Sequence, residues 1–125
     1  MKRLKDHPEC IQIAGIVDLR EAQLLIDEGV DAIGFPLGLS VHKEDLSSSQ
    51  VLQIVQHLPD QILPILITYL NTAKHIYEIC QATGIKTIQI HGSISTVEIK
   101  KLLSLNSAFQ LIKSLVVKHK LIKLN

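Results

Sequence analysis

Short β-branched runs alternate along this chain with segments whose apolar residues recur at helical spacing. That alternation is the mark of βα units and a parallel sheet. Cys10 to Ala14 (CIQIA) reads as a first strand, broken by Gly15. Asp18 follows as an N-cap with Glu21 three residues on, close to a capping box, and Leu19, Ala22, Leu25 and Ile26 give the buried face of a first helix ending at Glu28. Gly29 stands where a left-handed C-terminal residue is wanted. Val30 to Phe35 is the second strand. Pro36 to Ser48 has no periodicity and reads as a loop, long for an α/β unit. The second helix covers Ser49 to Leu58 with Val51, Ile54, Val55 and Leu58 inward, and Pro59 stops it. Ile62 to Tyr69 is the third strand. Asn71 is the expected cap of a third helix with face Ala73, Ile76, Tyr77 and Cys80, which Gly84 ends. Lys86 to Ile90 is the fourth strand, followed by a turn at His91 and Gly92. The fourth helix starts near Ser95, with Glu98 at capping-box distance, and presents Ile99, Leu102 and Leu103. Phe109 to Leu115 is a fifth strand.

Strand starts recur about every 20 to 30 residues, as they do in a β/α barrel or a doubly wound sheet. The chain therefore reads as α/β, with five parallel strands and four helices. Residues 1–117 form one domain, and 118–125 form a basic tail whose three lysines are expected to be solvated. The length of 125 residues suits a single core. Only Phe35, Phe109, Tyr69 and Tyr77 are aromatic, so that core is built from Ile, Leu and Val, as in a parallel sheet covered on both faces.

Charge narrows the partners. With 13 basic and 12 acidic residues the net charge is +1, which supplies no field to gather nucleic acid or an anionic membrane. No apolar run approaches the roughly 20 residues of a membrane helix, and the N-terminus lacks a signal-type segment. Cys10 and Cys80 have neither metal nor redox spacing, which makes a reducing cytoplasm the expected location. The histidines at 7, 42, 57, 75, 91 and 119 show no ligand spacing, so no metal or other cofactor is expected.

Three segments carry a resemblance. Ile13 to Ile16 (IAGI), Glu28 to Phe35 (EGVDAIGF) and Ile88 to Gly92 (IQIHG) resemble, in order and spacing, segments of phosphoribosylanthranilate isomerase, a (β/α)8 barrel enzyme of tryptophan biosynthesis. The resemblance implies the N-terminal half of that TIM-type barrel, where periodicity alone leaves a flavodoxin-like open sheet equally open. It implies an aldose–ketose (Amadori) isomerisation, in which an acid opens the ribosylamine ring and a base takes the proton from the sugar C2. In the family the base is a cysteine at the end of strand one. The residue here is Ala14, whose methyl group accepts no proton. Cys10 lies four residues upstream, about 13 Å away at the ~3.3 Å rise of a strand, toward the other end of the barrel. The family's acid belongs to a sixth strand and its phosphate loops to strands seven and eight, beyond the five strands read here. The family's arginine on the loop after strand two has no counterpart, since Pro36 to Ser48 offers only His42 and Lys43 as cations.

No catalytic residue is therefore expected. The candidate binding residues are Gln89, His91, His42 and Lys43, for a small phosphorylated or carboxylated ligand. His91 stands where barrel enzymes put binding residues, and Gln89, two residues earlier, shares its face. Asp18 is read as a helix cap and Asp31 as a residue at the mouth of strand two. Five strands do not close a barrel, so a homo-oligomer is expected to cover the open edges. Three functions follow. The first is an isomerase relative with weak or no activity; the second is a non-catalytic, homo-oligomeric binding or assembly module derived from the same barrel; the third, a different enzyme reusing the barrel mouth, needs an acid or base that only His42 or His91 could supply.

Overall fold

The computed structural model describes residues 10–39 and 46–114. Within them the chain alternates without exception: β1 (Gln12–Ala14), α1 (Leu19–Asp27), β2 (Ala32–Pro36), α2 (Ser48–His57), β3 (Leu63–Thr68), α3 (Ala73–Thr83), β4 (Thr87–Ile90), α4 (Thr96–Leu105) and β5 (Gln110–Lys113). The strands pair in parallel in the order β1-β2-β3-β4-β5, each beside its neighbour in sequence. This is the half-barrel arrangement expected. The basic tail, 118–125, lies outside the described residues.

Burial on both sheet faces explains the nearly unbroken apolar runs of the strands. Facing the helices, Ile33, Phe35, Leu66, Ile88 and Ile90 pack with helix residues such as Val51, Ile54, Ile76 and Leu102. On the other face Ala32, Leu63 and Ile65 form a second cluster with Cys10, Ile67 and Ile112. Cys80 belongs to the helix side, and burial pushes its thiol up to about 12, so it stays protonated and structural. An edge-to-face pair, Tyr77 on Phe109 with ring centroids 6.2 Å apart, ties α3 to the start of β5.

The helix ends follow their sequence signals with instructive exceptions. Gly29 and Gly84 close α1 and α3 at φ of +89° and +75°, a region that favours glycine. Asp18 caps α1 by accepting from the Glu21 amide at 2.8 Å, while the Glu21 carboxylate reaches past the cap to the Val17 amide. α2 starts one residue earlier than expected, because Ser47 and Gln50 complete a reciprocal capping box. The cap of α3 is Thr72 and not Asn71, its hydroxyl accepting from the His75 amide. Ser95 caps α4, yet Glu98 does not return the bond. Its carboxylate instead crosses to α3 and accepts from the Ala73 amide at 2.9 Å. One acidic side chain thus satisfies an orphan donor at the start of the neighbouring helix.

The terminal helices differ from the middle ones. In α2 and α3 the expected faces are buried or half-buried throughout. In α1, Ala22 is buried but Leu19 is exposed; in α4, Leu102 is buried but Leu103 is exposed. The amphipathic pattern is present in both, and none of the described helices receives its outer part. Asp31 also departs from expectation. It precedes β2 at the N-terminal end of the sheet, and its carboxylate accepts from the Ile11 amide at 2.9 Å, anchoring the foot of β1.

Removing the cross-helix cap tests this account of α3. Glu98→Ala is expected to cost about 1–2 kcal/mol in urea unfolding, the worth of a lost cap. Lys101→Ala, which breaks only the exposed 3.7 Å pair with Glu98, should stay within about 0.5 kcal/mol of the parent. Equal losses would mean that the ion pair, not the Ala73 bond, is what Glu98 contributes.

Candidate functional site

The register fixes what meets at the C-terminal end of the strands. Ile67 pairs with Gln89 and Gln89 with Ile112. Side chains alternate along a strand, so Gln89 shares the face of Ile67 and Ile112, away from the helices. The pairing continues one step beyond the strands. The His91 amide donates to the Thr68 carbonyl at 2.9 Å and the Ser114 amide to the Ile90 carbonyl at 3.0 Å. Tyr69, His91 and Ser114 therefore lie side by side at the sheet end, with Gln89 one layer below.

The Gln89 amide nitrogen lies 3.2 Å from His91 Nε2 and 3.3 Å from the Ser114 hydroxyl. Donation to His91 requires a neutral ring with its proton on Nδ1. The Gln89 Oε1 atom is buried and has no hydrogen-bond partner among the described residues. Turning the amide over would pair the oxygen with His91 and Ser114 and leave the NH2 group unpaired instead. Either way one polar atom stays without a partner among the described residues, an arrangement that costs stability.

Three neighbours shape this end. The Tyr69 and His91 rings lie 5.6 Å apart, tilted by 33°. A Cβ on Gly92 would sit 2.9 Å from the Tyr69 carbonyl oxygen, so glycine is what lets the β4 turn close against β3. The Lys113 ammonium donates to the Gly92 carbonyl at 2.8 Å and the Ser114 carbonyl at 3.1 Å, which brings a cation to the same end. The loop after β2 leaves from here too. Gly38 presents its carbonyl to the Thr68 hydroxyl and the Tyr69 amide. Its two expected cations, His42 and Lys43, lie outside the described residues.

Of the candidate binding residues, the structure brings Gln89 and His91 into direct contact. Tyr69 and Ser114 join them and were not expected, while Lys113, opposite Ile90 and so on the helix side of the sheet, reaches this end only through the Gly92 and Ser114 carbonyls. A cleft of 440 Å³ between the β2 loop and α3 contains His75 and Glu78 but neither Gln89 nor His91. Among the described residues, no three His, Cys, Asp or Glu side chains group as a metal site.

The structure places Ala14, expected at the family's base position, at the end of the first strand. Ala14 ends β1 on the same face as Gly34: a Cβ built there would lie 3.2 Å from that of Ala14. Cys10 precedes β1, at the other end of the sheet. Burial first, and then the Asp31 carboxylate, push its thiol up, so at neutral pH it holds its proton. The Ala14 side chain itself accepts no proton; Glu21 lines a cavity with it, and its carboxylate accepts from the Val17 amide.

No protein-family model matches the chain. It is 31% identical over 104 residues to an N-(5'-phosphoribosyl)anthranilate isomerase of Methanosarcina mazei, covering 82% of this chain and 45% of that protein. Its fold superposes on the phosphoribosyl anthranilate isomerase of Thermus thermophilus with a TM-score of 0.77 at 16% identity, over 87% of this chain and 52% of the other. A second isomerase structure, in complex with reduced 1-(o-carboxyphenylamino)-1-deoxyribulose 5-phosphate, matches at TM-score 0.73 and 21% identity over 83% and 52%. The two structural likenesses speak for the fold alone. The chain spans about half the length of the curated relatives it matches.

If Gln89 is held for a ligand and not for the fold, its removal is cheap. Gln89→Leu deletes the unpaired buried atom along with two long hydrogen bonds, and should leave unfolding free energy within about 1 kcal/mol of the parent. A loss well above that would make Gln89 a structural residue.

Proposed function

Because the chain resembles the phosphoribosylanthranilate isomerases over about half of their barrel, we propose that its sheet end binds a small phosphorylated or carboxylated ligand of the isomerase type without converting it. The observation that carries this reading is the Gln89, His91 and Ser114 cluster, with its unpaired buried amide atom, at the strand ends where barrels keep their sites. His91 and Gln89 supply directional hydrogen bonds, Tyr69 an exposed ring, and Lys113 a cation for a carboxylate or phosphate. His42 and Lys43 are further candidates for the anionic part of the ligand.

The missing element is chemical. Amadori isomerisation needs a group that takes the C2 proton, and Ala14 has no lone pair to offer. The same reading includes a single domain over residues 1–117, a second copy of the chain covering the open sheet edges, and residence in the cytoplasm, in keeping with the free thiols of Cys10 and Cys80. Among the described residues no helix is long and apolar enough to cross a membrane.

Titration calorimetry with reduced 1-(o-carboxyphenylamino)-1-deoxyribulose 5-phosphate tests the binding. Saturable binding is expected, weakened at least tenfold by His91→Ala and by Gln89→Leu, with folding intact. No binding by the parent chain, or equal binding by both variants, would overturn the assignment.

A further inference from the structure

Exposed apolar side chains are not spread evenly over this molecule. Among the described residues, nine large hydrophobics are exposed. Ile11, Ile13, Val17, Leu19 and Leu24 belong to the β1–α1 flank. Val97, Leu103 and Leu105 lie on α4, the last of the described helices. The ninth, Tyr69, sits at the sheet end, and α2 and α3 contribute none. Apolar surface is thus concentrated on the two flanks of the row of described helices.

The flanks are complementary in shape and in charge. Beside Leu24, itself 58% exposed, a cavity of 260 Å³ is lined by Ile13, Ala14, Ile16, Glu21 and Leu25. It is concave and apolar, and its size suits an inserted leucine. α4 offers Leu103 and Leu105, 42% and 46% exposed. Around the cavity, residues 17–28 carry Asp18, Glu21, Asp27 and Glu28 against Arg20. Residues 96–113 carry Lys100, Lys101 and Lys113 against Glu98. An acidic apolar hollow on one flank faces a basic apolar ridge on the other.

We propose that two copies of this chain associate head to tail, the α4 ridge of one seated in the β1–α1 hollow of the other. The inference rests on the self-association proposed above and adds which surfaces meet. Charge selects the pairing: α1 against α1 sets carboxylates opposite carboxylates, and α4 against α4 sets lysines opposite lysines. A head-to-tail contact uses both flanks of every copy, and two copies that close on each other leave neither exposed. It also sets β5 of one copy toward β1 of the next, covering the sheet edges.

Sedimentation of the full chain and of two surface variants tests the pairing. The parent is expected to be dimeric at micromolar concentration. Leu24→Lys places a cation opposite the lysines of α4, and Leu103→Asp places a carboxylate opposite the acids of α1. Each variant alone should associate at least tenfold more weakly, with an unchanged far-UV circular dichroism spectrum. Mixed together they should form a heterodimer, because the intact ridge of the Leu24→Lys copy still fits the intact hollow of the Leu103→Asp copy. Should either variant fold poorly, Leu19→Lys and Leu105→Asp ask the same question at neighbouring exposed positions. A folded, monomeric parent chain would overturn both the self-association and this pairing. A parent oligomer with variants that still associate alone, or that stay apart when mixed, would overturn the pairing and leave self-association standing.

Discussion

Everything at the sheet end depends on the register of one parallel hydrogen-bond ladder. Once Ile67 is opposite Gln89 and Gln89 opposite Ile112, the alternation of side chains leaves no freedom about which residues share a face. A slip of one residue in β4 would turn Gln89 and His91 toward the helices and set Ile88 and Ile90 on the other face. The buried cluster around Phe35, Leu66 and Ile88 holds that register, because it fills only when those residues point at the helices. The core therefore positions a site it does not touch. The same ladder carries Ala14 to the end of β1 and keeps Cys10 at the other end of the sheet.

The sequence made the architecture legible because each element carried its own punctuation. Gly29, Gly84, Asp18 and Ser95 mark helix ends by backbone chemistry that acts locally. Where local signals compete, the reading slipped by a residue: Asn71 and Thr72 both suit a cap, and the geometry leaving β3 decides for Thr72. Leu19 and Leu103 show a deeper limit. Helical periodicity tells which face is apolar, but not how much of it a neighbouring helix covers; α1 and α4 each have a described helix on one side only, α2 and α3, and Leu19 and Leu103 stay exposed.

The site was legible only in part for a related reason. Gln89 and His91 are two residues apart on one strand, so face and spacing sufficed. Ser114 and Lys113 come from the next strand, more than twenty residues on, and Tyr69 comes from the strand before. Aligning the strand ends, with Thr68 beside Ile90 beside Lys113, would have found all three. That alignment requires the register, which apolar runs of similar composition do not fix by themselves. Glu98 is the counterpart among structural residues: a capping-box position whose carboxylate serves a different helix.

A sheet end that gathers Gln89, His91 and Ser114 and carries a methyl group at Ala14 is a coherent object, half of a barrel whose relatives are named for an isomerisation. Ala14 is the residue on which that account turns, since every other group could be in place and the C2 proton would still have nowhere to go. The direct measurement is formation of the ketose product from phosphoribosylanthranilate by the purified chain, followed against an enzyme-free blank. The account predicts no product above the blank, and clear turnover that scales with chain concentration would contradict it.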